Sequence, residues 1–118
     1  MQLTAPLLSV IQCAAEAVLT LTDTLDEADL LRSRLTRAEV QRQLALMADT
    51  LAAVQPQAQG PMPEIDWAGW RTVAAALARP GRAQDEALWF AARSLAPATL
   101  SWLRFYRPSL PQLFDVWG

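Results

Sequence analysis

The stretch Thr36-Arg37-Ala38-Glu39-Val40-Gln41-Arg42-Gln43-Leu44-Ala45-Leu46-Met47-Ala48-Asp49-Thr50-Leu51-Ala52-Ala53-Val54 decides the fold class. Val40, Leu44, Met47 and Leu51 recur in steps of four, three and four, the seam of a helix that packs along its length against another helix. Residues 37–54 are therefore a long helix, for which Thr36 and Glu39 suit a capping box. A strand would need alternation at every second position, and no such run occurs here.

Reading outward, residues 4–25 carry a second stripe: Leu7, Ile11, Ala14, Val18, Leu21 and Leu25. Thr22, Asp23 and Thr24 loosen its end, and the acids of Asp26-Glu27-Ala28-Asp29 suit a helix N-terminus. Residues 55–63 hold three prolines and a glycine and are expected to be a loop. Asp66 is an N-cap candidate for a third helix reaching Ala78, with Trp67, Trp70, Val73 or Ala74, and Leu77 on its face, and Pro80-Gly81 stops it. A fourth helix spans about residues 84–105 with Leu88, Ala92, Leu95, Thr99, Trp102 and Tyr106 in line; Pro97 inside it should kink it. Leu110, Leu113, Phe114 and Trp117 fall on one side of a short amphipathic tail. The expected architecture is all-α: a bundle of four main helices over residues 1–106, with a C-terminal tail over 107–118.

Composition agrees. The 118 residues are 53% hydrophobic and 19% charged, the make-up of a globular domain large enough to bury its own core. The longest uncharged run, Met1 to Ala15, has no basic start and is short for a bilayer span, so a cytoplasmic protein without membrane contact is expected. Cys13 is alone and sits among apolar neighbours, the setting of a core thiol. Net charge is −2, divided between nine acids against four arginines in residues 1–66 and six arginines against three acids in residues 67–118. Such a division suits faces that meet in an oligomer better than a dedicated nucleic-acid binder, which carries a larger basic excess.

The chain has no histidine and no lysine. That removes Ser/His and Cys/His nucleophilic pairs, lysine Schiff bases and Cys/His zinc sites. The four glycines are isolated, so no phosphate loop is present. No catalytic residue, cofactor or metal is expected. Five tryptophans fit core and interface packing better than base stacking, which needs basic residues interleaved with the rings.

Three segments in order resemble a known family. Arg42-Gln43-Leu44-Ala45-Leu46-Met47-Ala48-Asp49-Thr50 is similar to the family's R-N-L-E-V-I-G-E-A, keeping the Arg, the Leu and an acid. Pro63-Glu64-Ile65-Asp66-Trp67 is similar to P-E-I-P-W. Asp85-Glu86-Ala87-Leu88-Trp89, followed by Ala96-Pro97, is similar with a one-residue slip to D-L-E-L-V-W…L-P. The family is the HepT-like branch of HEPN proteins, the toxin halves of toxin–antitoxin pairs with a nucleotidyltransferase (MNT), and the resemblance spans roughly residues 5–105. It implies a HEPN-like homodimeric helical bundle and, in working members, RNA cleavage by an Arg and a His of an R-x4-x-H motif, often followed by a Tyr. Counting back from Trp89 puts Val73 and Ala78 at those positions; counting forward from Trp67 puts Ala74 and Arg79 there. The pair is missing either way.

The resemblance thus implies a degenerate ribonuclease that has kept an interaction role, with an MNT-type nucleotidyltransferase as partner. Trp67, Trp70, Leu113, Phe114 and Trp117 are the candidate partner or dimer contacts. Two alternatives stand beside it: an RNA-binding or weakly active ribonuclease of the same fold holding phosphate with Arg71, Arg79 and Arg82, and a helical scaffold or adaptor whose tail docks a partner.

Overall fold

The computed structural model describes residues 4–114, and among these all regular structure is helical. The elements are α1 (Thr4–Thr22), α2 (Glu27–Arg32), α3 (Arg34–Ala53), α4 (Pro56–Gln59), α5 (Trp67–Leu77), α6 (Arg82–Phe90), α7 (Ala96–Ser109) and α8 (Pro111–Phe114), with a π-helical segment at Ala91–Leu95 joining α6 to α7. The all-α expectation holds. Four long helical runs (α1, α3, α5, and α6 through α7) form the bundle, and α1 lies between α3 and α7.

The seam of α3 is as its spacing requires: Val40, Leu44, Met47 and Leu51 are all buried. Its start is not. The helix begins at Arg34 after Ser33, so Thr36 lies inside it, and Glu39 is free to pair with Arg42 and Gln43 rather than to close a capping box. The reciprocal box forms instead at α2, between Asp26 and Asp29.

The expected stripe of α1 holds at Ile11, Ala14 and Val18, which are buried, and is rotated from its expected phase at both ends. Leu8, Ile11, Ala15, Val18 and Thr22 are buried, while Leu7, Leu21 and Leu25 are only partly covered. Cys13 follows from that rotation. It lies two residues, or about 200°, from both Ile11 and Ala15, so its thiol is exposed and is not a core group. Helix α1 is also long and apolar enough to cross a membrane by length and composition, with a mean hydropathy of 1.5. In this fold its apolar side packs on α3 and α7.

Residues 55–63 are not wholly a loop. Pro56 occupies the first turn of α4, where its missing N–H costs nothing, and Ala58 and Met62 bury themselves beneath it. Pro97 acts through the π-helical segment that directly precedes it, where the Ala96 N–H reaches back five residues to the Ala91 carbonyl. The wider turn is where the chain accommodates the proline ring, which in a regular α-helix would crowd the carbonyl of residue i−4. At the other end, α7 runs through Pro108 to Ser109, and Phe114 of α8 returns to the core against α1.

Candidate functional site

Helix α5 and the turn into α6 carry the residues singled out for chemistry. Asp66 caps α5 as its sequence suggests: its carboxylate accepts the Gly69 N–H at 2.9 Å. Trp70 then inserts fully into the core, where its indole N–H donates to the Thr99 hydroxyl at 2.9 Å, and that hydroxyl donates to the Leu95 carbonyl at 2.8 Å. The half-buried Trp67 donates its indole N–H to the Met62 carbonyl at 3.0 Å. Both rings thus orient α5 against α7 and the α4 segment, leaving its opposite side to solvent.

The turn between α5 and α6 is held from beneath. Gln84 is buried and its amide donates to the Leu77 carbonyl at 2.9 Å, satisfying the end of α5. Arg37 of α3 donates to the Gln84 side-chain oxygen at 3.1 Å and forms an ion pair with Asp85. Gly81 bends the chain at φ 135°, a conformation open to glycine and rarely to other residues. Nothing in the sequence marks Arg37, Gln84 and Asp85 as one cluster, since the partners lie 47 and 48 residues apart.

Outside this clasp is an open depression lined by Thr72, Ala75, Ala78, Arg79, Pro80 and Arg82 among others. Arg79 and Arg82 therefore share one surface. Arg71 does not join them: it borders a separate small cleft of about 90 Å³ with Gln59, Trp67 and Trp70. Six residues of helix, about 9 Å of rise, separate Arg71 from Leu77 at the end of α5, and Arg79 lies two residues beyond that end. Of the positions matched to the R-x4-x-H motif, Val73 is buried, Ala74 is half-buried, and Ala78 and Arg79 are exposed. Among the described residues no three His, Cys, Asp or Glu side chains come together as metal ligands.

The candidate contact residues divide in the same way. Trp70 and Phe114 are core residues and offer no surface to a partner, because each fills space between helices of its own chain. Trp67 and Leu113 are partly covered. Trp117 lies outside the described residues. Apolar surface that the sequence did not single out appears elsewhere, at Val10, Leu35, Leu46, Phe90 and Phe105.

On α3, Arg42 grips both carboxylate oxygens of Glu39, at 3.1 and 2.6 Å, and Gln43 adds a bond at 2.8 Å. The Arg42 bond holds the Glu39 carboxyl below its ordinary value, with the Gln43 bond second, and Glu39 in turn raises Arg42. The three-residue spacing of Glu39 and Arg42 is the signal for this pair, which the capping-box expectation for Glu39 passed over.

Comparison of the chain with protein-family models, with characterised proteins and with solved structures found no match.

Proposed function

We propose that this protein is a HepT-like HEPN domain that has lost ribonuclease chemistry and acts through protein contacts, with an MNT-type nucleotidyltransferase as its partner. The observation that carries the reading is the make-up of the α5–α6 surface: around the depression the side chains are alanines, Thr72, Pro80 and two arginines. RNA cleavage through the 2′-hydroxyl needs a group that gives and takes a proton near neutral pH. Arginine stays protonated and cannot do so, although it can hold phosphate. The forward count from Trp67 puts the matched positions at the half-buried Ala74 and the exposed Arg79, whereas the backward count needs the buried Val73.

Affinity capture of the tagged protein from its own host, followed by mass spectrometry, tests the proposal. A nucleotidyltransferase-fold protein should be recovered, and the purified chain should leave RNA intact. Capture without such a protein would overturn the interaction reading. The placement of Arg79 and Arg82 on one surface favours a second reading, RNA binding or weak cleavage. RNA cleavage by the pure protein that is abolished by Arg79→Ala would establish it in place of the first.

A further inference from the structure

The cleft that Arg71 borders lies between two helices that turn paired residues toward each other. Ala48 and Ala52 of α3 are four residues apart and share a side of that helix, and Trp67 and Arg71 of α5 do the same. Helix α3 packs against α5, so two methyl groups face an indole and a guanidinium. The small residues on the α3 wall leave a space of about 90 Å³, with the buried Leu51 and Trp70 beneath it.

The polar groups around this space divide into those already used and those still open. Both indole N–H groups are committed, Trp67 to the Met62 carbonyl and Trp70 to the Thr99 hydroxyl, so the rings offer only apolar surface. The Gln59 amide nitrogen donates to the Val54 carbonyl at 2.8 Å, which fixes the side chain and leaves its oxygen as an acceptor. Arg71 is exposed, and among the described residues it has no ion pair and lies over no aromatic ring. No Asp or Glu side chain lines the space.

An occupant that satisfies these groups has three parts. It has a carboxylate for the guanidinium fork, an N–H for the Gln59 oxygen and a small apolar group for the space between the alanines and the rings. A cavity of about 150 Å³ holds benzene, so the smaller space here suits a short aliphatic side chain and is too small for a cofactor. A phosphate fits less well, because it is charged throughout and the surface of Ala48, Leu51 and Ala52 would strip its water without a hydrogen bond in return. Arg79 and Arg82 lie at the separate depression and supply no second cation.

We infer that the α3–α5 cleft binds the C-terminal residue of a peptide chain that ends in a small apolar amino acid such as valine. Arg71 takes the terminal carboxylate, the Gln59 oxygen accepts the N–H of the same residue, and its side chain enters between Ala48, Ala52 and the rings. This site rests on the geometry of the cleft alone and stands or falls independently of the nucleotidyltransferase proposal.

NMR titration of the isotope-labelled full chain with the dipeptide N-acetyl-alanyl-valine tests it. Saturable shifts should fall on the indole N–H of Trp67 and the side-chain amide of Gln59. The same dipeptide with its carboxylate capped as an amide should bind about tenfold more weakly or worse, and so should the acid form to Arg71→Gln. Ala52→Leu, at an exposed helix position, should fill the space and abolish the shifts with an unchanged far-ultraviolet helix signal, whereas Ala53→Leu, which lies outside the cleft, should leave binding intact. Absence of saturable shifts, equal binding of the acid and amide forms, or binding indifferent to Arg71→Gln or Ala52→Leu would each overturn the inference. Inorganic phosphate that reproduces the shifts and displaces the dipeptide would overturn it in favour of phosphate held by Arg71. Free valine that binds as tightly as the dipeptide would overturn the assignment to a chain end.

Discussion

Replacing Thr99 by valine removes one oxygen and leaves the shape of the core almost unchanged. Thr99 and Trp70 are each 1% exposed, so water cannot take the place of the lost hydroxyl. The indole N–H of Trp70, which donates to that hydroxyl at 2.9 Å, would be left buried without a partner. A stranded donor of this kind costs about 1–3 kcal/mol. For a chain of this length, about 2 kcal/mol corresponds to a fall in Tm of about 8 °C. Trp70→Phe alone removes the donor together with part of the ring, and costs about 1–3 kcal/mol through lost packing. In the Trp70→Phe background Thr99→Val strands nothing and should cost close to zero. The two substitutions should therefore be coupled by about 1–3 kcal/mol. Urea unfolding followed by far-ultraviolet circular dichroism measures all four corners of the cycle without relying on tryptophan emission. A Thr99→Val cost below about 0.5 kcal/mol, or the same cost in both backgrounds, would show that this bond does not fix α5 to α7.

Three further outcomes follow from other contacts. Gly69→Ala would place a Cβ 2.3 Å from the nearer Asp66 carboxylate oxygen and force that cap aside, so its helix-propensity gain of about 1 kcal/mol should appear in the Asp66→Ala background and be largely cancelled in wild type, as read by thermal unfolding. Arg37→Ala leaves Gln84 and Asp85 without their α3 partner and should cost about 1 kcal/mol, with faster amide hydrogen exchange in residues 78–85; unchanged exchange there would mean that the clasp does not hold the turn. Glu39 should titrate by NMR below its ordinary 4.5, and Arg42→Ala should raise it toward that value. Because the folded value is the lower one, the stabilisation is present above pH 4.5 and fades as the pH falls through the folded value.

The helical class, the α3 seam, the Asp66 cap and the stop at Pro80-Gly81 were legible because each depends on residues within a turn or two of one another. Period and capping are local properties, so the chain declares them without reference to the fold. The boundaries that shifted were also local contests, but ones in which two answers had similar cost. Thr36 and Ser33 could both precede α3. A proline-rich segment could be a loop or, with Pro56 in its first turn, a short helix that buries Ala58 and Met62.

Rotation and assembly were not local. Helix α1 has apolar residues on nearly every side, so Leu7, Leu21 and Leu25 compete with Leu8, Ala15 and Thr22, which sit about 100° away. Contact with α3 and α7 selects the second set, and with it exposes Cys13. The same holds at the candidate site. The sequence by itself determined that the chain lacks histidine and that alanines occupy the stretch after Trp70. Only the tertiary structure decided that Arg79 shares a surface with Arg82 and not with Arg71, that Trp70 and Phe114 belong to the core, and that Gln43 and Leu46 lie beside Val10, Cys13 and Ala17 of α1. Helical periodicity sets which residues of one helix share a side; which side meets solvent depends on the packing of several helices at once.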